Sequence, residues 1–95
     1  MPFLQQNPRA FNRADVEALN TEQIGVYGLY KPGVWIYIGK GDIRRRLSDH
    51  LNGDNPCITR QGPTNWVGEV TQGDPSARER ELILEFSPHC NQRVG

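Results

Sequence analysis

Two short apolar segments separated by a tight turn constrain the fold of this chain more than any other feature of its sequence. The segments are GVYGLY (25–30) and VWIYIG (34–39), both rich in aromatic and β-branched residues, with Lys31-Pro32-Gly33 between them. Pro followed by Gly at the two central positions is typical of a type II turn. The sequence therefore predicts a β-hairpin, with Gly28 marking a bulge or a close backbone approach.

Capping residues and apolar spacing predict the elements around this hairpin. In chain order they are an irregular N-terminal arm, a short helix capped by Asn12 that runs to Leu19, the hairpin, a helix from Asp42 to about Leu51, a surface loop at 52–63, a strand at 64–70, and a helix that begins near Ser76 and reaches Phe86 before Pro88. Gly39-Lys40-Gly41 is expected to break the extended chain before the helix at Asp42.

Length and charge limit the classes of function. A chain of 95 residues is enough for one domain with a modest core. Lys plus Arg and Asp plus Glu both number 11, so no overall positive field attracts an acidic partner such as DNA. Residues 40–60 nevertheless hold five Lys or Arg against three Asp. Nucleic-acid contact would therefore be local, although an ordinary solvated surface also explains such a cluster.

Hydropathy and cysteine content give expectations about the compartment. No apolar run approaches the length of a membrane span, and the N-terminus does not resemble a secretory leader. Cys57 and Cys90 are too few for a disulfide framework. We therefore expect a cytoplasmic protein without membrane contact, with both cysteines reduced.

Helical spacing singles out three polar side chains. On the helix after Asp42, Arg46 and His50 lie about 40° apart, whereas Arg45 projects away from the buried stripe. On the last helix, Glu79 falls within the apolar face. A carboxylate directed toward the core is costly unless it is paired, protonated or bound to a cation. Glu79 is thus either at a widened rim or paired with arginine, or a metal ligand or catalytic group.

These residues occur in an order that resembles the GIY-YIG nuclease family. Gly25-Val26-Tyr27 stands for the first tripeptide and Tyr37-Ile38-Gly39 for the second. The further matches, in chain order, are Lys40, Arg46-Leu47 with His50, Glu79, and the ending Pro88-His89-Cys90-Asn91. The resemblance covers residues 24–91, but the interval from Gly39 to Arg46 is one residue shorter than in many relatives, which leaves Arg45 as an alternative to Arg46.

The resemblance implies an α+β fold with a small three-stranded antiparallel sheet flanked by helices. The active site would lie on the sheet face where the hairpin and the two longer helices meet. The nuclease domain would span 23–91, after an N-terminal arm and short helix at 1–22 and before a C-terminal tail at 92–95.

The resemblance also implies metal-dependent hydrolysis of DNA phosphodiester bonds. Glu79 would hold one Mg²⁺ or Mn²⁺ ion, an ion that needs few protein ligands. The implied catalytic residues are Tyr27, Tyr37, Lys40, Arg46, His50 and Glu79, and the implied substrate-binding residues are Gly39, Arg44, Arg60 and Asn91. Tyr27 or Tyr37 would deprotonate water, provided that a nearby cation lowers the phenol's pKa, and His50 would orient them.

Two other classes of function stay open. One is a nucleic-acid-binding module of the same fold that does not cut, or that needs a protein partner. The other is a zinc site formed by His50, Cys57, His89 and Cys90, which is disfavoured because the sequence lacks a Cys-x-x-Cys or His-x₃₋₅-His pair. The sequence leaves the oligomeric state open, as well as the kind of DNA, including branched or single-stranded forms.

Overall fold

An antiparallel sheet organises the chain in the computed structural model, which describes residues 1–91; the predicted C-terminal tail at 92–95 lies outside the described residues. The elements are β1 (Arg9–Ala10), α1 (Arg13–Glu17), β2 (Ile24–Lys31), β3 (Val34–Asp42), α2 (Ile43–Leu51), α3 (Pro56–Gln61), β4 (Asn65–Val70), α4 (Ser76–Phe86) and a 3₁₀ turn (His89–Asn91). None of the helices within residues 1–91 has the length and apolar character needed to cross a membrane.

The sheet has four strands in the order β1-β4-β2-β3, which confirms the α+β fold but not the expected count of three. The extra strand comes from the N-terminal arm, which the sequence predicted to be irregular. Its two residues pair with the start of β4, Arg9 with Trp66 and Ala10 with Asn65. So short a strand carries no alternating pattern for a sequence to reveal.

The hairpin of β2 and β3 is confirmed. Gly33 has a φ of 78°, the left-handed conformation that a type II turn requires at this position. The register shifts between Leu29 and Tyr30, one residue beyond Gly28. At Gly28 itself, a Cβ would collide with Trp35 and Phe3. The predicted break after Gly39 is wrong, because β3 keeps pairing with β2 as far as Asp42.

The helix expected after Asp42 is present, and the Asp42 side chain accepts a hydrogen bond from the Arg45 backbone N–H. The stretch at 52–63 is not the plain loop that the sequence predicted, because it contains α3. Asn55 caps this helix, Pro56 stands in its first turn, and Gly62 ends it in the left-handed conformation. The same residues that favour turns also favour helix ends, which explains the error.

Alternate residues of β2 face two separate cores. Tyr27 and Leu29 pack with Ile43 and Leu47 of α2, whereas Val26 packs with Leu82 of α4. The two longer helices therefore cover opposite faces of the sheet, which corrects the expectation of a site on one face. Both helices contact β3, the edge strand. A site that uses both must lie at this edge.

Cys57 of α3 and Cys90 of the 3₁₀ turn form a disulfide, with their Cα atoms 5.7 Å apart. The expectation of two reduced cysteines is wrong, because the fold brings together residues 33 positions apart. The zinc alternative is also excluded within residues 1–91, where no group of three or more His, Cys, Asp or Glu side chains could hold a metal ion. The disulfide ties α3 to the segment that ends at Asn91.

Reducing the Cys57–Cys90 disulfide should lower the free energy of unfolding by about 3 kcal/mol, because the crosslink restricts the unfolded chain over a separation of 33 residues. Calorimetry with and without dithiothreitol measures this loss. The Cys57→Ser/Cys90→Ser protein serves as the control, and its melting temperature should not respond to the reductant. Equal melting temperatures of the wild type in both conditions would contradict the assignment.

Candidate active site

A chain of hydrogen bonds, buried at Tyr27 and His50 and partly exposed at Asp54, joins the central strand β2 to α2 and the loop after it. The Tyr27 hydroxyl lies 2.8 Å from His50 Nε2, and His50 Nδ1 lies 2.7 Å from Asp54 Oδ1. Tyr27 is 0% exposed and His50 is 4% exposed. Because an ionised carboxylate only accepts hydrogen bonds, His50 carries its proton on Nδ1, and Nε2 accepts from Tyr27.

Burial sets the protonation of this chain. It lowers the pKa of His50, although the hydrogen bond to Asp54 acts in the opposite direction. It raises the pKa of Tyr27 well above its ordinary value, and it also raises the pKa of Tyr37 against the opposing charge of Arg46. In the protein alone, desolvation outweighs the opposing effect of Arg46 on both phenol pKa values.

Tyr37 and Arg46 lie beside this chain at the edge of the sheet. Tyr37 is half-buried, and its ring stands edge-on to His50 with the ring centroids 5.2 Å apart. The Arg46 side chain is 35% exposed and donates to Asp49 Oδ2 at 3.0 Å. Arg46 precedes His50 by one helical turn and lies close enough to both phenols to act on their pKa, whereas Arg45 is exposed.

Glu79 approaches the site from α4, on the other side of the edge strand. Its side chain is half-buried, and its charge contributes to the raised pKa of Tyr37. The neighbouring carboxylates all have cationic partners: Glu69 with Arg78, Glu81 with Arg78 and the Met1 amino group, and Glu85 with the Met1 amino group. Within residues 1–91 Glu79 forms no ion pair. Its carboxylate is available to a cation.

One available carboxylate fits a hard divalent ion such as Mg²⁺. That ion keeps several water ligands and commonly takes only one or two carboxylates from the protein, together with phosphate oxygens from a substrate. It does not require the cluster of three or more ligating side chains that residues 1–91 lack. The donor set at Glu79 therefore matches magnesium rather than zinc.

Gly39 ends the second tripeptide and Lys40 follows it, and the two residues have different contacts. Lys40 is exposed and donates from Nζ to Ser76 Oγ at 2.5 Å, at the start of α4. A Cβ at Gly39 would collide with the Tyr27 phenol and the Tyr37 ring. Gly39 thus makes room for the buried phenol, a role that differs from the expected close approach of backbone to phosphate.

None of the other predicted substrate-binding residues forms a hydrogen bond with either phenol in residues 1–91. The Asn91 side chain accepts from the Ile38 backbone N–H at 2.7 Å and donates to the Ile38 carbonyl at 2.8 Å, so it pairs with the edge of β3 as another strand would. Arg44 lines a cavity beside Trp66 on the opposite flank of α2. Arg60 is exposed on α3.

Sequence reasoning missed two carboxylates. Asp54 falls in the region expected to be a surface loop, yet its spacing of four residues from His50 could have revealed the pair. Glu69 is the buried carboxylate of the fold, 9% exposed, and Arg78 pairs with it at 2.8 Å while the Leu4 backbone N–H donates to it at 2.7 Å. No pattern in the sequence indicates that pairing.

No protein-family model and no curated protein matches the sequence. Solved structures do match. The GIY-YIG N-terminal endonuclease domain of UvrC from Thermotoga maritima, bound to its catalytic divalent cation, magnesium, is 26% identical, with a TM-score of 0.72 over 85% of this chain and 100% of that chain. A tyrosine-to-phenylalanine point mutant of the same domain, bound to its catalytic divalent cation, is 27% identical, with a TM-score of 0.72 over 86% of this chain and 100% of that one.

The matched region includes most of this chain and the whole of the solved domain. The chain has the same α+β architecture, and its two tripeptides lie on neighbouring strands of the sheet. This structural agreement, together with the order of the motif residues, shows that the chain is a domain of the GIY-YIG type, similar to the endonuclease domain of UvrC.

Proposed function

We propose that this domain is a metal-dependent endonuclease that hydrolyses DNA phosphodiester bonds with one divalent cation held by Glu79. The observation that carries the proposal is the half-buried Glu79 carboxylate, which has no cationic partner in residues 1–91 and lies close enough to Tyr37 to contribute to the raised pKa of that phenol. DNA as the substrate and Mg²⁺ as the cofactor are supported by the similarity to an endonuclease domain solved with magnesium.

Two cationic side chains flank the place where a phosphate would enter. Arg46 can give up its partly exposed contact with Asp49 and offer its planar guanidinium to the scissile phosphate. Lys40, anchored to Ser76, supplies a point charge from the α4 side. When bound, the cation would polarise the phosphate and hold a water molecule near it.

The hydrogen bonds among Tyr27, His50 and Asp54 offer a route for the proton of the attacking water. The water gives a proton to the Tyr27 oxygen, Tyr27 passes its own hydroxyl proton to His50 Nε2, and Asp54 stabilises the resulting imidazolium. This route needs no tyrosinate, which agrees with the raised pKa of Tyr27. Because Tyr27 is fully buried, the water enters beside Arg46 once that side chain has turned to the phosphate.

Tyr37 is a second candidate for contact with the attacking water, because it is the more exposed of the two phenols. Within residues 1–91 the Tyr37 hydroxyl has no hydrogen bond to a proton acceptor, whereas the Tyr27 hydroxyl bonds to His50 Nε2. Single Tyr27→Phe and Tyr37→Phe variants separate the two assignments. Only Tyr27→Phe should remove the dependence of cleavage on His50.

The form of the DNA and the need for a partner are further parts of the proposal. A net charge of zero supports weak intrinsic affinity, so a branched or single-stranded substrate, or a protein partner that supplies DNA contacts, would compensate. A cytoplasmic location stays a prediction of the sequence. The alternative is a module that binds nucleic acid without cutting it.

Replacing Glu79 by Gln should lower cleavage by roughly 1,000-fold while leaving the fold intact, because it removes the charge that holds the cation. The measurement is Mg²⁺- or Mn²⁺-dependent cutting of flapped, branched and single-stranded DNA. Glu85→Gln is the matched control, since Glu85 lies on the same helix and pairs with the Met1 amino group. DNA binding by the wild type without cutting under any of these conditions would favour the non-cleaving module.

Replacing Asp54 by Asn should lower kcat about 100-fold, because the amide cannot stabilise an imidazolium and favours the wrong tautomer of His50. In the wild type, kcat/KM should fall only below about pH 6.5, since burial lowers the pKa of His50 from that ordinary value. The acid limb of Asp54→Asn should lie lower still, because the charge that raises the His50 pKa is gone. Asp15→Asn, an exposed change on α1, should keep the wild-type profile.

The free energy of unfolding should also fall as the pH is lowered. Between the lowered pKa of folded His50 and about 6.5, the unfolded chain binds more protons than the folded one, so the free energy of unfolding falls as the pH drops through this window. A His50→Gln variant should lose this dependence in urea titrations at several pH values. An identical dependence in both proteins would contradict the protonation state assigned to His50.

A further inference from the structure

A small cavity lies on the opposite flank of α2 from the catalytic cluster. Its volume is about 70 Å³, and it is bounded by the loop between α1 and β2, by α2 and by β4. The lining residues are Arg9, Leu19, Asn20, Gln23, Ile43, Arg44, Trp66, Gly68 and Val70. Two of them are arginines and none is acidic. The cavity therefore offers positive charge and hydrogen-bond donors without a carboxylate of its own.

Two lining side chains carry buried N–H groups that have no acceptor within residues 1–91. They are the indole Nε1 of Trp66, a residue that is 2% exposed, and the Nε of Arg44. A buried donor without an acceptor costs about 1–3 kcal/mol, and native proteins usually satisfy it with protein, water or ligand. Two such donors in the lining of one small cavity favour a ligand that accepts hydrogen bonds.

Arg9 adds a second cation to the same cavity. Its guanidinium stacks on the Trp66 ring at 3.8 Å from the ring centroid, and its Nη2 donates to the neutral side chain of Gln6. Neither Arg9 nor Arg44 pairs with a carboxylate in the part of the chain that the structure describes. Both charges are therefore available to a ligand, since arginine stays protonated in proteins.

The chemistry of these donors selects an oxyanion over water. A water molecule accepts only two hydrogen bonds and brings no charge, whereas a phosphate group presents several acceptor oxygens and a negative charge to two guanidinium forks. A cavity of about 70 Å³ has room for more than a single water, which needs about 10–15 Å³ by the same measure. We propose that this cavity is a phosphate-binding site, separate from the catalytic cluster.

The phosphate has two sources with the same chemistry. It can be a backbone or terminal phosphate of the nucleic acid, an assignment that rests on the proposed nuclease function. It can also be free phosphate or a small phosphorylated compound, which does not depend on nuclease activity. The two are separated by experiments that use inorganic phosphate alone and DNA alone.

Titration of ¹⁵N-labelled protein with inorganic phosphate tests the site directly. The indole N–H resonance of Trp66 should shift saturably, while that of Trp35, which packs in the other core, should not. Arg44→Gln should abolish or strongly weaken the shift. Arg45→Gln is the matched control, because it removes the same charge from the next position of α2 but does not line the cavity. This arm uses no substrate and no divalent ion, so it is independent of whether the domain cuts DNA.

DNA binding to the Glu79→Gln protein identifies the source. If the cavity holds a nucleic-acid phosphate, Arg44→Gln should reduce the slope of log affinity against log salt by about 1 relative to Arg45→Gln. Equal slopes for the two variants, together with a saturable phosphate shift, would assign the site to free phosphate. A Trp66 resonance that does not respond to phosphate, with equal salt slopes for both variants, would overturn the proposal.

Discussion

The hydrogen-bond chain from Asp54 through His50 to Tyr27 is the interaction on which the arrangement of the site depends. Tyr27 and His50 are both buried, and a buried polar group without a partner costs about 1–3 kcal/mol. The contact between them therefore fixes how α2 sits on β2, in both height and rotation. Arg46 precedes His50 by one turn of the same helix, so the same contact sets the guanidinium beside the two phenols.

A second constraint brings Glu79 to this cluster from the other face of the sheet. Leu82 packs against Val26 and Ile38, which places α4 along the edge strand. Asn91 pairs with Ile38 on the free side of that strand, so the edge is closed by a side chain rather than by another strand. The site consequently spans an edge, with the carboxylate on one side and the phenols on the other.

Most of the fold follows from local sequence signals. The hairpin, the cap at Asp42 and the strand at β4 are all present. Apart from the missed helix α3 and the continuation of β3 past Gly39, the errors concern long-range contacts. The pairing of β1 with β4, the Cys57–Cys90 disulfide and the salt bridge of Glu69 with Arg78 join residues whose local patterns do not indicate a partner.

The sequence predicted which residue types form the candidate site and in what order, but it did not predict how deeply each side chain is buried or how burial changes its pKa. Burial raises the pKa of both phenols, and it does so because the sheet and α2 exclude water, a property that only the packed chain reveals. The position of Arg44 illustrates the same limit. It belongs to the basic stretch that the sequence singled out, yet the rotation of α2 directs it to a separate cavity beside Trp66.

The protonation of His50 is the central element of this account, and long-range ¹H–¹⁵N correlation spectroscopy of the imidazole measures it most directly. At neutral pH we expect a neutral ring with the proton on Nδ1 and an unprotonated Nε2 that accepts from Tyr27. An imidazolium at neutral pH, or a neutral ring protonated on Nε2, would contradict the proton route from Tyr27 to His50.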